Sequence, residues 1–336
     1  METPIIIDLG SLNTKVGFAG QPIPELIFPT IVAEGPLGWM VGSEAEGYPP
    51  QIHPIHQGYV ISREGLEHVL RAIFSTLEIE PQYYPIVIME NALNPKFHRE
   101  VLTNVLTNKF KVKHLAFELA PVSALRATGR ISGVAVDIGH ENFGIIPVFE
   151  KYIIEHAISR VGLGGRAITL FLKELLQTDQ PESIVNSIKE ESCYVALDYQ
   201  TELEKLPSLE SETYEMPDAT FISLKRERFE APELFFKPLW QGFDLPPLDR
   251  LIYDTILELD VNLQEEMFGS IVLCGGGSLI RGFDERLKKE IEEKYPRDIK
   301  INVIAPPNRE YLAWEGASSL ASTSVYIREM FKKKKK

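Results

Sequence analysis

A β-hairpin pattern that occurs twice is the strongest constraint that this sequence places on its fold. In residues 4–20, three β-branched residues lead into Asp-x-Gly, a short polar tip follows, and a second apolar strand leaves the tip. Residues 133–148 repeat this plan, well over a hundred positions further along the chain. Two copies of one supersecondary unit indicate a chain built from two similar halves.

The polar tip of each hairpin has the composition of a phosphate cradle. In the first copy, the backbone N–H of Gly10 and the hydroxyl of Ser11 can turn towards an anion, and Lys15 can place an ammonium beside it. Gly139 holds the corresponding place in the second copy. We therefore expect each half to present a phosphate-binding hairpin to a shared cleft.

The aspartate before each tip is a candidate metal ligand. Asp8 and Asp137 both end an apolar strand and would face the same phosphates, where each could hold a hydrated Mg²⁺. An ordinary hairpin, whose aspartate caps its own turn, explains the first copy equally well when that copy is taken alone. The repeat favours the metal–nucleotide interpretation.

Apolar periodicity along the rest of the chain alternates between strands and helices, which is typical of an α/β fold with a mixed sheet. Ser62 is a candidate N-cap for the helix that follows it. The Gly- and Pro-rich stretch 33–55 predicts loop with little regular structure. Strands are predicted at 26–32, 85–89, 114–117, 270–273 and 299–304, and helices at 95–108, 121–127, 165–176, 283–294 and 311–331.

Composition limits the function classes. The chain has 336 residues, of which 44% are hydrophobic and 25% charged, as expected for a globular protein with two cores. Its net charge of −13 argues against nonspecific nucleic-acid binding. We expect no secretory signal and no membrane span, and the two cysteines suggest neither a disulfide framework nor a zinc site. The lysine run Lys332–Lys336 could touch an acidic partner, although a solvated tail is the simpler interpretation.

Further motifs, in order along nearly the whole chain, carry a family resemblance. They are Phe28-Pro29-Thr30-Ile31-Val32, Leu93-Asn94-Pro95-Lys96 with Arg99-Glu100, Lys189-Glu190 before Cys193-Tyr194-Val195-Ala196-Leu197-Asp198, Gly275-Gly276-Gly277, Ile304-Ala305-Pro306-Pro307 and Trp314-Glu315-Gly316. Together with the hairpins, they resemble actin and the actin-related proteins. That family belongs to a wider group of two-lobed ATPases that includes sugar kinases and chaperone ATPases.

The resemblance implies a two-lobed actin-like ATPase fold, in which duplicated mixed-sheet α/β domains surround a nucleotide cleft. Lobe 1 would comprise residues 1–130, with 311–336 returning to it. Lobe 2 would comprise residues 131–310, including an inserted subdomain at about 177–229. In actin, the region matching 33–55 builds a small subdomain with a long loop that inserts into the next filament subunit. Most of that loop is missing here, so we expect a reduced subdomain.

The same resemblance implies ATP or ADP with Mg²⁺ as the ligand. Gly275, Gly276 and Gly277 would form a floor against the adenosine and the α-phosphate, although a tight strand-to-helix turn would use the same residues. Lys189 and Glu190 would lie near the adenine and ribose. Gly165, at the start of a helix, completes the predicted nucleotide-binding set with Gly10, Ser11, Lys15 and Gly139, and Asp8 and Asp137 would bind Mg²⁺ through water.

Two positions that orient the attacking water in actin are changed. The glutamine position falls on Ala120 and the supporting histidine position on Gly144. Loss of such groups is expected to slow hydrolysis by about 10²–10⁴-fold, which leaves at most a slow ATPase. His140, Glu141 and Glu118 are conceivable substitutes, but we interpret them as structural or surface residues.

Two further departures from the family pattern affect the predicted affinity for nucleotide. Glu310 replaces a lysine that lies against the adenine in actin, and Ala167 replaces an acidic residue. We therefore expect weak binding or an altered base preference.

Three functions stay open from the sequence. The first is a cytoplasmic, cytoskeletal nucleotide-binding protein that assembles with itself or with other actin-family subunits, and that could bind actin-binding proteins. The second is a non-polymerising subunit that caps filaments or scaffolds a complex, which the missing loop favours. This second function is also favoured by changes in a groove of the family, where small or apolar residues are replaced by Arg126, Glu315 and Thr323. The third is a small-molecule kinase, for which no base is clearly placed.

Overall fold

The computed structural model describes residues 2–36, 38–294 and 299–332. Its contacts divide the chain into two compact units. Unit 1 comprises Met1–Ile131, Val148–Glu155 and Tyr311–Lys336, and unit 2 comprises Ser132–Pro147 and His156–Glu310. Among the described residues, no helix is both long enough and apolar enough to cross a membrane. Four lysines of the predicted tail, 333–336, lie outside the described residues.

The described residues of the first part of the chain form nine strands and three α-helices. The strands are β1 (Ile5–Leu9), β2 (Asn13–Phe18), β3 (Leu26–Pro29), β4 (Val32–Gly35), β5 (Gly38–Val41), β6 (Ile55–His56), β7 (Tyr59–Val60), β8 (Ile86–Glu90) and β9 (Leu115–Leu119). The helices are α1 (Arg63–Thr76), α2 (Lys96–Asn104) and α3 (Ala120–Ala127), and a π-helical turn at Val105–Lys109 extends α2.

The remainder adds strands β10 (Gly133–Ile138), β11 (Phe143–Phe149), β12 (Tyr152–Ile153), β13 (Ser159–Val161), β14 (Glu212–Glu215), β15 (Phe221–Leu224), β16 (Ile271–Cys274) and β17 (Val303–Ile304). Its helices are α4 (Gly165–Leu175), α5 (Glu182–Ser192), α6 (Tyr199–Glu204), α7 (Glu227–Glu230), α8 (Leu248–Leu257), α9 (Val261–Phe268), α10 (Phe283–Lys294), α11 (Leu312–Ala321) and α12 (Ser324–Lys332).

The main sheet of unit 1 has the order β3-β2-β1-β8-β9. β1 and β2 form the predicted antiparallel hairpin, with Ile7 opposite Val16, and β8 and β9 run parallel to β1. Ile5 and Ile7 of β1 are fully buried against α1, whose Ser62 accepts a hydrogen bond from the Gly65 N–H as its N-cap. The predicted cap and amphipathic helix are confirmed.

A second sheet has the same strand order, β12-β11-β10-β16-β17, with β13 also paired to β11. β10, β16 and β17 are parallel, in register at Val134, Ile271 and Val303. The final residues of β11, with β12, fall in unit 1. The repeated order of hairpin, central strand and parallel strands confirms the predicted mixed-sheet duplication and the α/β fold class.

Three sequence predictions of local structure were wrong. Residues 33–55 are not mainly loop, because β4 and β5 form a hairpin and Gly42–Gly47 forms a 3-10 helix. Trp39 of β5 stacks on His68 of α1 with ring centroids 4.3 Å apart, so packing orders a Gly-rich stretch. The strand predicted at 299–304 shortens to Val303–Ile304, the residues in register with β16.

The third error concerns the final helix, which is two helices, α11 and α12. Side chains in the junction hydrogen-bond to the preceding turn: Ser322 donates to the Ser319 carbonyl and Thr323 to the Leu320 carbonyl. The Thr323 hydroxyl oxygen also accepts from the Tyr326 N–H at 3.3 Å and thereby caps α12. Such side-chain bonds compete with helix continuation and end α11 here.

Candidate functional site

The hairpin tip of unit 1 is closed by one backbone hydrogen bond. The Gly10 N–H donates to the Asn13 carbonyl at 3.1 Å, and a Cβ on Gly10 would lie 2.7 Å from that oxygen. The Ser11 hydroxyl oxygen accepts from the Gly58 N–H at 3.2 Å. Because this bond uses only the oxygen, the Ser11 hydrogen is still available to a ligand.

Asp8 and Lys15 are cross-strand partners just before this tip. Lys15 Nζ lies 3.4 Å from Asp8 Oδ2, and their side chains are 18% and 27% exposed. The structure therefore brings together the carboxylate predicted for Mg²⁺ and the ammonium predicted for phosphate. A carboxylate has about four acceptor positions, so this contact leaves Asp8 able to accept from metal-bound water.

The hairpin tip of unit 2 repeats the geometry of the first. The Gly139 N–H donates to the Asn142 carbonyl at 2.9 Å, the same bond that joins the glycine and asparagine of the unit 1 tip. The Gly165 N–H donates to the Gly139 carbonyl at 2.9 Å, and the Arg166 N–H donates to the His140 carbonyl at 2.7 Å. These bonds fix the tip to the start of α4.

The Gly275–Gly277 turn packs directly against the end of β10. Gly275 has φ +82°, and a Cβ there would stand 2.4 Å from the Ile138 carbonyl oxygen and 2.6 Å from Asp137 Oδ1. A Cβ on Gly277 would lie 2.7 Å from the Ile138 side chain, whereas a Cβ on Gly276 would meet nothing within 4 Å. The turn is closed on one side by β10, and Gly276 faces open space.

Lys189 lies at the same end of unit 2. Its side chain is buried, and its ammonium donates to the Gly165 carbonyl at 3.2 Å, Thr169 Oγ1 at 3.0 Å and Asn186 Oδ1 at 2.6 Å. Burial lowers the pKa of Lys189. Glu190 is exposed instead and accepts from Asn186 Nδ2 at 2.8 Å.

The predicted residues of unit 2 therefore converge, with one difference in exposure. A Cβ on Gly165 would lie 3.4 Å from Lys189 Nζ, 3.7 Å from the Gly139 carbonyl oxygen and 3.9 Å from Gly277 Cα. With Asp137 beside the glycine turn, these residues form one surface of glycines and polar atoms, whereas Glu190 lies at the solvent. Glycine N–H groups and a cation are the groups that hold phosphates in proteins.

Arg309 is a residue of this site that sequence reasoning missed. Its buried guanidinium donates from Nε to Ser278 Oγ at 3.0 Å, from Nη2 to the Ser278 carbonyl at 2.6 Å and from Nη1 to the Pro306 carbonyl at 3.2 Å. The Gly275 N–H donates to the Arg309 carbonyl at 3.1 Å. Arg309 thus fixes the glycine turn. An arginine two residues after the Pro306-Pro307 motif was the signal for it in the sequence.

The two positions at which the family resemblance implies water-orienting groups, Ala120 and Gly144, are both buried. Ala120 is 7% exposed and belongs to an apolar cluster with Ile6 and Trp314. Gly144 lies opposite Arg160 in the β11–β13 pair, and a Cβ there would come within 2.8 Å of the Ile146 side chain. Neither residue has a side chain that can form a hydrogen bond to water.

His140, in the unit 2 tip, is uncharged at neutral pH. Burial, together with the positive charge of Lys189, lowers the pKa of His140 to about 4. Glu310, at the position where the family resemblance implies a lysine, is partly exposed and directly follows Arg309. Across the described ranges, no three His, Cys, Asp or Glu side chains are grouped as a metal site.

Two α/β sheets with one strand order, each containing an Asp-x-Gly hairpin, define the class of two-lobed actin-like folds. Comparison with family models agrees: the model described as Actin matches residues 1–183 and 176–335, which together span nearly the whole chain. The chain belongs to the actin family.

Proposed function

We propose that the chain is an actin-family, cytoskeletal protein that binds ATP or ADP with Mg²⁺ and hydrolyses ATP slowly or not at all. The observation that carries the proposal is the convergence of Asp137, Gly139, Gly165 and the Gly275–Gly277 turn in unit 2, where β10 closes one side of the turn and a Cβ on Gly276 would meet nothing within 4 Å. Such a surface lets a phosphate approach the backbone closely. The Lys189 ammonium adds a positive charge beside it.

Each predicted ligand-binding residue has a proposed role. In unit 2, Gly139 and Gly165 would contact phosphate and Gly275, Gly276 and Gly277 would contact the nucleotide. Lys189 would stabilise this glycine surface through its hydrogen bond to the Gly165 carbonyl, and Glu190 would contact the ribose or base from the solvent side. In unit 1, Gly10, Ser11 and Lys15 would contact phosphate. Asp8 and Asp137 would bind Mg²⁺ through water.

Slow hydrolysis follows from the buried positions. Phosphoryl transfer to water needs a group that orients the water in line with the γ-phosphate. Ala120 and Gly144 supply none, and the Ala120 methyl is packed in an apolar cluster. We expect phosphate release to be slower than in an actin that retains both groups by about 10²–10⁴-fold.

Gly276→Val tests the nucleotide site without disturbing the fold. Its side chain would enter open space in the free protein, so we expect an unchanged melting temperature. In a titration with mant-ATP and Mg²⁺, we expect affinity to fall at least about tenfold, because the valine occupies the proposed ligand space. Gly47→Val, also in open space, is the matched control. Equal mant-ATP binding by Gly276→Val and wild type would refute the floor assignment.

A second candidate is a subunit that caps filaments or scaffolds a larger complex without polymerising. It is favoured by residues 33–55, where the β4–β5 hairpin and the 3-10 helix Gly42–Gly47 leave no long loop before β6. Pelleting across a concentration series with Mg-ATP, with phosphate release followed in the same samples, separates the candidates. A pellet would support self-assembly, whereas bound nucleotide with no pellet would support capping or scaffolding.

The proposed function also implies where the protein is located and what it contacts. We expect the protein in the cytoplasm with the cytoskeleton, in contact with itself, with other actin-family subunits or with actin-binding proteins. A screen with sugars and acetate as phosphoryl acceptors tests the less favoured small-molecule kinase. Phosphorylation of any of them at a rate above ATP hydrolysis would favour a kinase.

A further inference from the structure

A pocket in unit 2 combines an apolar wall with two arginines. Its lining residues all belong to unit 2 and are Tyr194, Val195, Leu209, Arg228, Arg281 and Gly282. The space in it that a water-sized atom can reach is about 350 Å³. Protein pockets that bind small molecules have volumes of about 300–1,000 Å³. The pocket therefore has room for a small ligand.

Tyr194 and Leu209 form the apolar wall of the pocket. Both side chains pack against a buried cluster that consists of Ala196, Tyr199 and Phe229. The ring centroids of Tyr194 and Phe229 are 5.9 Å apart. Because the core of unit 2 supports the wall from behind, its shape does not depend on a ligand.

Two polar groups of the pocket are already compensated within the protein. Arg228 forms an ion pair with Glu212, and its Nε donates to the Ser192 carbonyl at 3.1 Å. The Tyr194 hydroxyl donates to Glu202 Oε1 at 2.8 Å. Burial, together with this hydrogen bond, raises the pKa of Tyr194, which is therefore uncharged at neutral pH. Neither group leaves a net charge in the pocket.

Arg281 supplies the charge that is not compensated. Its side chain is exposed, and within the described residues it forms no hydrogen bond and no ion pair. Its backbone is held firmly, because the Val195 N–H donates to the Arg281 carbonyl at 2.7 Å. Gly282 has φ +79°, and a Cβ there would lie 2.5 Å from the Val195 carbonyl oxygen, so the turn requires glycine. A fixed backbone thus presents a free guanidinium beside an apolar wall.

We propose that this pocket binds a small carboxylate with an apolar aliphatic or aromatic body. Arg281 binds the carboxylate through two parallel N–H groups, and the apolar body lies against Tyr194 and Leu209. The single negative charge of the ligand balances the one uncompensated cation of the pocket. This site lies outside the proposed nucleotide surface, and the proposal does not depend on nucleotide binding.

The composition of the pocket favours a carboxylate over phosphate. Phosphate has more oxygens and more charge than one guanidinium can satisfy, and the apolar wall offers no donors to the remaining oxygens. A carboxylate needs only the planar fork of Arg281. Its apolar body gains from leaving water at the wall, whereas a hydrated inorganic anion has no such gain.

The test uses the full chain, both free of nucleotide and loaded with Mg-ATP, so that failure of the nucleotide proposal is recorded separately. The probe is para-trifluoromethylbenzoate, whose binding is measured by fluorine NMR at constant ionic strength. The matching neutral amide, para-trifluoromethylbenzamide, is the control for charge. Acetate and inorganic phosphate, as competitors, are the controls for the apolar body. Thermal unfolding of each variant checks that it is folded.

We expect wild type to bind the benzoate at least about tenfold more tightly than the amide. Arg281→Gln, at an exposed position, should remove this preference and leave the melting temperature unchanged. Arg71→Gln is the matched control, because Arg71 is also exposed and forms no ion pair within the described residues, but lies in α1 of unit 1. Leu209→Ala should weaken binding of both compounds by about threefold to tenfold while the preference for the benzoate persists.

Four results would overturn the proposal. The first is that wild type does not bind the benzoate at any soluble concentration, and the second is that it binds benzoate and amide equally. The third is a preference for the benzoate that Arg281→Gln retains. The fourth is competition by acetate or phosphate at the concentrations at which the benzoate itself binds, which would identify a general anion site.

Discussion

Gly316 of α11 and Ser123 of α3 approach so closely that a Cβ on Gly316 would stand 1.8 Å from the Ser123 carbonyl oxygen. The contact joins α11 to α3, the helix that carries Ala120, next to the buried Trp314. Only glycine allows two helix backbones to meet at this distance.

We therefore predict that Gly316→Ala lowers the unfolding free energy by about 2–4 kcal/mol, because α11 must move away from α3. Urea denaturation measures the change. Gly47→Ala is the control, since a Cβ there meets nothing within 4 Å, and we expect a change within about 0.5 kcal/mol. Similar stabilities for the two variants would show that the helices can separate at little cost.

Arg309→Lys should weaken both folding and nucleotide binding. A lysine cannot reproduce the fork that reaches Ser278 Oγ, the Ser278 carbonyl and the Pro306 carbonyl. We expect about 2–4 kcal/mol less stability, since hydrogen bonds from a charged group contribute about 1.5–3 kcal/mol each. Urea denaturation and a mant-ATP titration measure the two effects, with Arg250→Lys as the exposed control. Unchanged mant-ATP affinity would mean that the turn holds its shape without Arg309.

Lys189→Met should reduce mant-ATP affinity at least about tenfold. Methionine keeps the length of the side chain but leaves the Gly165 carbonyl, Thr169 and Asn186 without their shared donor. Lys288→Met, at an exposed lysine of α10, is the control for the lost charge. If both variants bind mant-ATP as wild type does, Lys189 has a role in folding alone.

His140 should make stability depend on pH below neutrality. Its pKa is about 4 in the folded protein and about 6.5 in the unfolded chain. Between these values the unfolded chain binds more protons, so the unfolding free energy falls as pH decreases from about 6.5 to 4. The effect is at most about 3 kcal/mol. Urea denaturation at several pH values should show a shallower dependence for His140→Gln, whereas the exposed-site control His53→Gln should follow wild type.

Arg286→Met should be strongly destabilising in unit 2. Arg286 Nη1 lies 2.7 Å from Oε1 of the fully buried Glu233, and among the described residues the variant leaves that carboxylate with Lys237 alone, at 3.8 Å. We expect a loss of about 3–5 kcal/mol at neutral pH.

The loss from Arg286→Met should decrease with acidity. Burial raises the pKa of Glu233 in the folded protein. At a pH above the pKa of the unfolded chain, the folded protein therefore binds more protons than the unfolded chain, and the unfolding free energy falls as pH rises. Urea denaturation of the double variant Glu233→Gln with Arg286→Met should recover much of the loss. A double variant as unstable as Arg286→Met would show that the bonds of Arg286 to Ala196 and Glu290 matter more.

Local sequence patterns were sufficient for elements with strong periodicity or clear caps. Sequence patterns alone predict the α1 helix with its Ser62 cap, the buried strand β8 and helix α10 at Phe283–Lys294. The two Asp-x-Gly hairpins and the α/β class were predicted because each hairpin encodes its own turn and each strand its own apolar run. The family resemblance followed from the order of motifs.

Tertiary structure decided what depends on neighbours distant in sequence. The Gly-rich stretch 33–55 became ordered because Trp39 packs on His68, and the strand ending at Ile304 was limited by its register with β16. The role of Arg309 and the close contact of Gly316 with Ser123 exist only once separate segments meet. Sequence by itself determined local turns, caps and apolar faces, which act over a few residues. Packing and hydrogen bonds between segments distant in the sequence determined which of those elements persisted, and which side chains came together.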